Sequence, residues 1–424
     1  MGDTTVVVAG AGLAGLVAAR RLADEDADVT VFERRGEVGG RVRTRSRDGF
    51  TLDRGFQVLF TAYPAVRAEL DLDALDLRTF SSGAVVARPG ERSTLADPLQ
   101  NPTKLLDTLR TDEVTTTDKL RTLALRQHLS TRTDEEIFSG PDASIRAYLR
   151  DWGFSEKYVE NFVAPFYGGI TLDRSLSTSK RVFEYTFKML SEGRTVVPAD
   201  GMGAIPAQLA AKARDAGATI HTDRAVESLQ ADDDGATVYT GEEAVDADAV
   251  VVATDPRSAR DLTGVSTVPT AARGCVTQYY SLPESLPVGR TIVLNAADAA
   301  PNSVAPLSTV APEYAPAGSE LLSATFLGDD SLDDSEASLE RRTREALSSW
   351  FPRRSFEELK RVHTSRIEFA QFDQPPGVHD DLPDARAPHG RAYLAGDYTR
   401  WSSIQGAMES GQDAAAAVLA DLDV

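Results

Sequence analysis

A single cysteine, Cys275, stands in this chain of 424 residues, so no disulfide forms within it and no cysteine cluster holds a metal. A lone thiol of this kind reads as a small core residue. The five histidines (His128, His221, His363, His379 and His389) fall at no spacing that suits metal ligation, and we assign no metal. No apolar run approaches the length of a membrane span. The first strand-like segment begins at Thr4, which leaves no room for a secretory leader, and the expected location is cytoplasmic. Positive charge is also short. The formal net charge of −20 excludes nucleic acid as a partner, because phosphates would be repelled. It also weakens electrostatic attraction to anionic lipid, leaving only transient membrane contact compatible with the chain.

Only seven of the 45 basic residues are lysine, and runs such as Asp232-Asp233-Asp234 read as solvated faces. This bias resembles proteins of salt-loving archaea, and the fold is expected to weaken when salt no longer screens its self-repulsion.

What the chain does have is concentrated at Val6–Arg43. Thr4–Ala9 reads as a buried strand, followed at once by Gly10-Ala11-Gly12-Leu13-Ala14-Gly15. Leu13, Leu16, Val17 and Leu22 then recur at helical spacing, and Asp28–Phe32 is a second strand that delivers Glu33 to its end. Strand, glycine turn, helix, strand and acid together form a dinucleotide-binding fingerprint. Gly10 permits the turn, Gly12 lets a diphosphate approach, and Gly15 lets the helix pack on the strand. Amides at the helix start, from Ala11, Leu13 and Ala14, suit phosphate. Glu33 suits ribose hydroxyls. NAD and FAD sites share this unit, so the fingerprint alone leaves the cofactor open.

Past Glu33 and Arg34 comes Gly39-Gly40-Arg41, and near the other end Arg391–Ala395 is a short apolar strand closed by Gly396-Asp397. The helical stretch Ile404–Leu419 follows, opening on Ile404-Gln405-Gly406-Ala407-Met408-Glu409-Ser410-Gly411. In these motifs the chain resembles the superfamily of FAD-dependent amine oxidases, phytoene desaturases and protoporphyrinogen oxidases. The resemblance implies FAD as cofactor. It implies that Gly39, Gly40 and Arg41 meet the diphosphate, and that Asp397 lies at the ribityl–diphosphate region. Ile404, Gly406 and Ala407 would then reach the flavin ring, where a helix N-terminus stabilises the charge of the reduced form. Gln405 departs from the glutamate usual at that point. Asp53-Arg54-Gly55-Phe56-Gln57 matches a D-x-G element that runs beside the ring, with Gly55, Phe56 and Gln57 at its face. Val226 matches an adenine contact, and Ala253 closes a matching apolar strand, Ala249–Ala253.

The expected fold class is α/β: a discontinuous Rossmann-type FAD-binding domain (1–75, 195–260, 385–424) with a second, α+β substrate domain (76–194, 261–384). In the first, strands are expected at Thr219–Thr222, Ala225–Ala231 and Ala236–Thr240, with a helix over Ala204–Ala216. In the second, Thr103–Leu129 and Asp142–Pro165 read as helices, with Leu120, Leu123 and Ala124 forming an apolar face. Strands are expected at Thr277–Ser281, Thr291–Asn295, Glu320–Leu327 and Thr364–Phe372, and a helix over Ser335–Phe351. Phe162–Gly169 could line a hydrophobic tunnel or simply end a helix, and Tyr279, Tyr280 and Trp401 carry the same ambiguity.

No Ser–His–acid grouping or carboxylate pair can be argued from spacing, so no catalytic side chain is assigned. Flavin chemistry itself needs no protein base. One wall of the amine oxidases' aromatic cage would fall on Ser403. That substitution and Gly396-Asp397-Tyr398-Thr399 favour dehydrogenation of a small-molecule, apolar, polyisoprenoid- or carotenoid-like substrate. Two alternatives remain: an amine or protoporphyrinogen oxidase, and a non-catalytic prenyl-binding protein like the GDP-dissociation inhibitors.

Overall fold

The computed structural model describes residues 4–95, 115–241, 243–297 and 300–422. At its centre lies a five-stranded parallel sheet, in the order Thr219–His221, Asp28–Phe32, Thr5–Ala9, Ala249–Val252, Ala392–Leu394. Ala249–Val252 and Val6–Ala9 are buried throughout, as expected of strands covered on both faces. One face is covered by three helices, Leu13–Asp24, Ala204–Asp215 and Ile404–Leu422. The first and last helices meet through small residues. A Cβ added at Gly411 would lie 2.3 Å from the Ala14 carbonyl oxygen, so the backbones touch. That contact closes the two ends of the chain onto each other. The other face packs on a three-stranded antiparallel sheet, Ser228–Ala231, Ala236–Thr240 and Glu243–Ala247.

A seven-stranded mixed sheet forms the second body of structure, in the order Lys360–Phe372, Ala272–Leu282, Glu320–Leu327, Ser303–Pro306, Ile292–Asn295, Ala84–Arg88, Glu91–Leu95. Only Ile292–Asn295 and Ala84–Arg88 pair in parallel. The helix Glu336–Trp350 buries Leu339, Leu347 and Trp350 against this sheet. A helical layer packs around Leu125, Leu149, Tyr167 and Phe183.

This layer corrects two expectations. Of the helix expected over Thr103–Leu129, residues 103–114 lie outside the described residues; the described helix is Thr116–Ser130. Its inward face is Asp118, Leu125 and Leu129, whereas Leu120, Leu123 and Ala124 are exposed. Asp118 sets the rotation: it closes a capping box with Thr115 and accepts hydrogen bonds from the Ser155 N–H and hydroxyl. The continuous helix expected over Asp142–Pro165 is broken. Ile145–Asp151 ends at Gly153 (φ +77°), and the chain restarts at Ser155. A wide turn, Val159–Val163, then runs into Ala164–Thr171, just ahead of Pro165, which has no N–H to donate.

Candidate active site

One cavity of about 1150 Å³ runs from the glycine turn into the helical layer. It has a polar arm over the parallel sheet and an apolar arm under the helices. Gly10, Gly12, Leu13, Ala14, Glu33, Arg34, Gly39, Gly40, Arg41, Gly55, Phe56, Val226, Ala253, Gly396, Asp397, Ile404 and Ala407 all line it. The sequence reading placed these residues at one cofactor; the fold brings them to the wall of one cavity.

Two residues of the fingerprint stand behind that wall. Gly15 is spent on packing, since a Cβ there would sit 2.0 Å from the Gly10 carbonyl oxygen. Ala11 is fully buried and donates its N–H to Glu33 Oε2 at 2.9 Å. Gly12 is the opposite case. Nothing lies within 4 Å of an added Cβ, so its face is open space. The helix behind it has no side-chain cap and no acid in its first turn, which leaves amide donors for an anion.

Glu33 is 4% exposed and also accepts the Arg35 N–H, at 3.0 Å. Gly39 (φ +114°) donates its N–H to the Ala11 carbonyl at 2.7 Å, seating the second glycine turn against the first. The Arg41 fork is engaged within the protein. Its Nη2 lies 2.5 Å from Asp397 Oδ1 and its Nη1 donates to the Ala370 carbonyl. Burial opposes the Arg41 charge, and Asp397 more than offsets it, so the guanidinium is held above its ordinary value. Asp397 Oδ2 takes the Ser402 hydroxyl at 2.7 Å. This pair therefore ties the amino-terminal turn to the carboxy-terminal helix.

Arg35 and Arg54 also line the polar arm, and both are held below the ordinary arginine range by burial and by neighbouring guanidiniums. Like charge gathered this way favours a dianionic ligand. Gln57 donates to the Arg41 carbonyl, but its Oε1 is buried without a partner. Thr277 Oγ1, 0% exposed on the same cavity, is likewise unpartnered. Orphaned polar atoms on a cavity wall suit a ligand that brings its own hydrogen bonds. An elongated cleft, an open glycine face, a buried acid and unspent polar groups together fit an extended dinucleotide.

Asp53 turns out to be a joint. It accepts hydrogen bonds from Thr44 (2.5 Å), the Met202 N–H (2.8 Å) and Tyr314, and its carbonyl accepts the Tyr279 hydroxyl. Burial pushes its carboxyl up to about 6. Tyr279 and Tyr280 are fully buried structural residues off the cavity, whereas Trp401 lines it. Gln405 accepts the Ala65 N–H at 2.9 Å, holding the helix Pro64–Glu69 against the last one. Ser403 accepts the Gly406 N–H and caps the final helix.

The apolar arm is lined by Phe162, Phe166 and Tyr167 of the aromatic segment, as well as by Phe154 and Tyr158. Sequence reasoning missed its other wall, the helix Lys180–Glu192, which contributes Val182, Phe183, Thr186, Phe187 and Leu190. The signal was present: Ser179 caps the helix, and the lining residues recur at three- and four-residue steps. Among the described residues, no group of His, Cys, Asp and Glu could hold a metal ion.

Such a site belongs to a flavoprotein. The model of the flavin containing amine oxidoreductases matches residues 13–419, and the chain belongs to that family. That family is one of FAD-dependent oxidoreductases, which weighs against the non-catalytic alternative. A phytoene dehydrogenase of Streptomyces griseus is 29% identical over 286 residues, 59% of this chain and 54% of that protein. Protoporphyrinogen oxidase 2, chloroplastic/mitochondrial, of Arabidopsis thaliana is 29% identical over 167 residues, 39% of this chain and 32% of its own. The chain thus spans only part of the length of these relatives. Among solved structures, a putative protoporphyrinogen oxidase from Exiguobacterium sp. 255-15 superposes with a TM-score of 0.74 at 18% identity, covering 100% of both chains. Putrescine oxidase bound to putrescine gives 0.74 at 18% identity, covering 99% of both. At such identity these structures establish a shared fold.

Proposed function

We propose that this enzyme dehydrogenates an elongated, apolar, polyisoprenoid-like molecule held in the arm between Phe162 and Leu190. The observation that carries the proposal is the aromatic bore joined to the polar arm in one cavity. The three segments 1–75, 195–260 and 385–424 would hold the cofactor and the remainder would shape the substrate arm. Gly12 and the amides behind it would face the diphosphate, Glu33 the ribose, and Ile404 and Ala407 the ring. Bound FAD supplies the hydride-accepting centre. The chain's residues orient and exclude water. Phe56 and Trp401 line the same cavity, and its aromatic lining would exclude water. The first turn of the final helix carries no acid, so its positive end is preserved where charge develops. Relatives named for phytoene and diapophytoene support the same substrate class.

Oxidation of an amine or a porphyrinogen is the second reading, supported by the oxidases that share the fold. Ser403 at the candidate cage position argues against the amine. Anaerobic mixing of the holoenzyme with acyclic polyisoprenes, amines and porphyrinogens separates these readings. Bleaching of the flavin by a polyisoprene is the expected result; bleaching by an amine or porphyrinogen alone would overturn the proposal.

A further inference from the structure

The sheet side of the apolar arm carries a row of hydroxyls. Thr277, Thr325 and Ser303 stand opposite one another on three neighbouring strands, Ala272–Leu282, Glu320–Leu327 and Ser303–Pro306, and all three line the cavity. The pleat puts them on one face. Their chain neighbours Val276, Phe326 and Val304 pack on the opposite face, with Leu339 and Leu347 of the helix Glu336–Trp350. Neighbouring strands lie about 4.8 Å apart, so the row spans about 10 Å. On the cavity side the helix Ala164–Thr171 packs against Ile292–Asn295 and Ser303–Pro306. Asn302 Nδ2 ties that helix down by donating to the Pro165 carbonyl at 2.9 Å, and Phe166 and Ile170 face the same cavity.

Thr277, Thr325 and Ser303 are 0%, 6% and 5% exposed, and among the described residues none of their hydroxyls has a hydrogen-bond partner. Hydroxyls left in this way on a cavity wall suit a ligand that supplies the missing partners. Thr277 ends the row beside Gly55, where an added Cβ would stand 3.8 Å from its hydroxyl, so that end faces the proposed ring site. Thr325 and Ser303 continue one and two strands away from it. Beyond Ser303 the row stops at Leu294, which pairs with it and is apolar.

We infer that the substrate is an oxygenated apolar molecule, a polyisoprenoid whose alcohol or carbonyl hydrogen-bonds Thr325 and Ser303 while its hydrocarbon lies against Phe166 and Ile170. This inference rests on the proposed substrate arm and narrows the class of its ligand. A hydroxyl both donates and accepts, so an alcohol and a carbonyl each find a partner on the row. A pure hydrocarbon covers the same groups without replacing the water they lose, which is penalised. A site built to hydrogen-bond its ligand discriminates strongly against the analogue that lacks the group.

The test titrates holoenzyme with farnesene, farnesol and farnesal, which share one carbon skeleton, and follows binding by perturbation of the flavin spectrum. The alcohol and the aldehyde should each bind about tenfold tighter than the hydrocarbon, the fold-change of one net hydrogen bond. In Thr325→Val/Ser303→Ala that preference should fall below about threefold, through weaker binding of the oxygenated probes. Thr325→Ser keeps the hydroxyl and should keep the preference. The double variant should match the wild type in FAD content and melting temperature, because the groups removed have no partner in the fold. Equal binding of the three probes, binding of none, or a preference untouched by the double substitution would overturn the inference. Loss of FAD from the double variant assigns the hydroxyls to the cofactor, and a lowered melting temperature assigns them to the fold; either result also overturns it. Flavin bleaching by polyisoprenes with no oxygen preference ends this inference and leaves the dehydrogenation reading standing. An oxygen preference without bleaching by any polyisoprene does the reverse.

Discussion

The two arms of the cavity are built by opposite strategies. The polar arm is made from backbone: glycine turns, helix ends and strand ends, with side chains such as Glu33 and Asp397 locked by hydrogen bonds. The apolar arm is made from side chains alone, on short helices interrupted at Gly153 and ahead of Pro165. A diphosphate is the same object in every FAD enzyme, so the cradle proposed for it here can be fixed by backbone geometry. A substrate differs between enzymes, and an arm of side chains can be reshaped without disturbing the sheet.

Substitutions at the turns test that contrast most sharply. Gly15→Val should cost more than about 3 kcal/mol, because its side chain would enter the Gly10 carbonyl. Thermal unfolding should show an unstable or insoluble product. Gly12→Val faces open space, so it should keep the melting temperature of the apoprotein yet lose FAD; equal stability loss at both glycines would erase the distinction. Arg41→Gln comes next. It strands Asp397, which is 2% exposed, at a cost of about 3 kcal/mol by analogy with broken buried pairs. Denaturant titration should find it, and the loss should exceed that of Phe162→Leu or Phe166→Leu, both half-buried on the cavity wall.

Asp53 gives a pH signature confined to the joint beneath the polar arm. Its carboxyl titrates near 6 in the fold against 3.8 for an ordinary aspartate, so the native state holds its proton longer. Between those values the unfolded chain binds fewer protons, and stability falls as pH rises, by about 3 kcal/mol in all. Above pH 6 the penalty is constant. The difference in stability between the wild type and Asp53→Asn should carry this slope; a flat difference from pH 4 to 6 would contradict it. Thr277→Val is the smallest effect. Removing an unpartnered hydroxyl should leave apoprotein stability within about 0.5 kcal/mol and weaken FAD retention several-fold, about 1 kcal/mol.

The contrast also explains what could be read from sequence. Gly10, Gly12, Glu33, Gly39, Gly396 and Asp397 are legible because backbone cradles demand glycine and acid at fixed intervals. The short strands Asp28–Phe32, Ala236–Thr240 and Glu320–Leu327 stand where their alternating or continuous apolar patterns put them. The helical layer resisted. Leu120 and Leu123 look like a core stripe, yet the buried hydrogen bonds of Asp118 turn the helix the other way. Arg41 was readable as part of the second glycine turn, but not as the partner of a residue 356 positions later. Pairings at such range leave no local pattern.

A crystal structure of the enzyme with FAD tests the account most directly. It should place the diphosphate over Gly12, the ribose against Glu33, and the ring between Phe56 and Ala407, with its reacting edge open to the bore at Phe162 and Phe187. A ring turned away from that bore, or a ribose distant from Glu33, would contradict it.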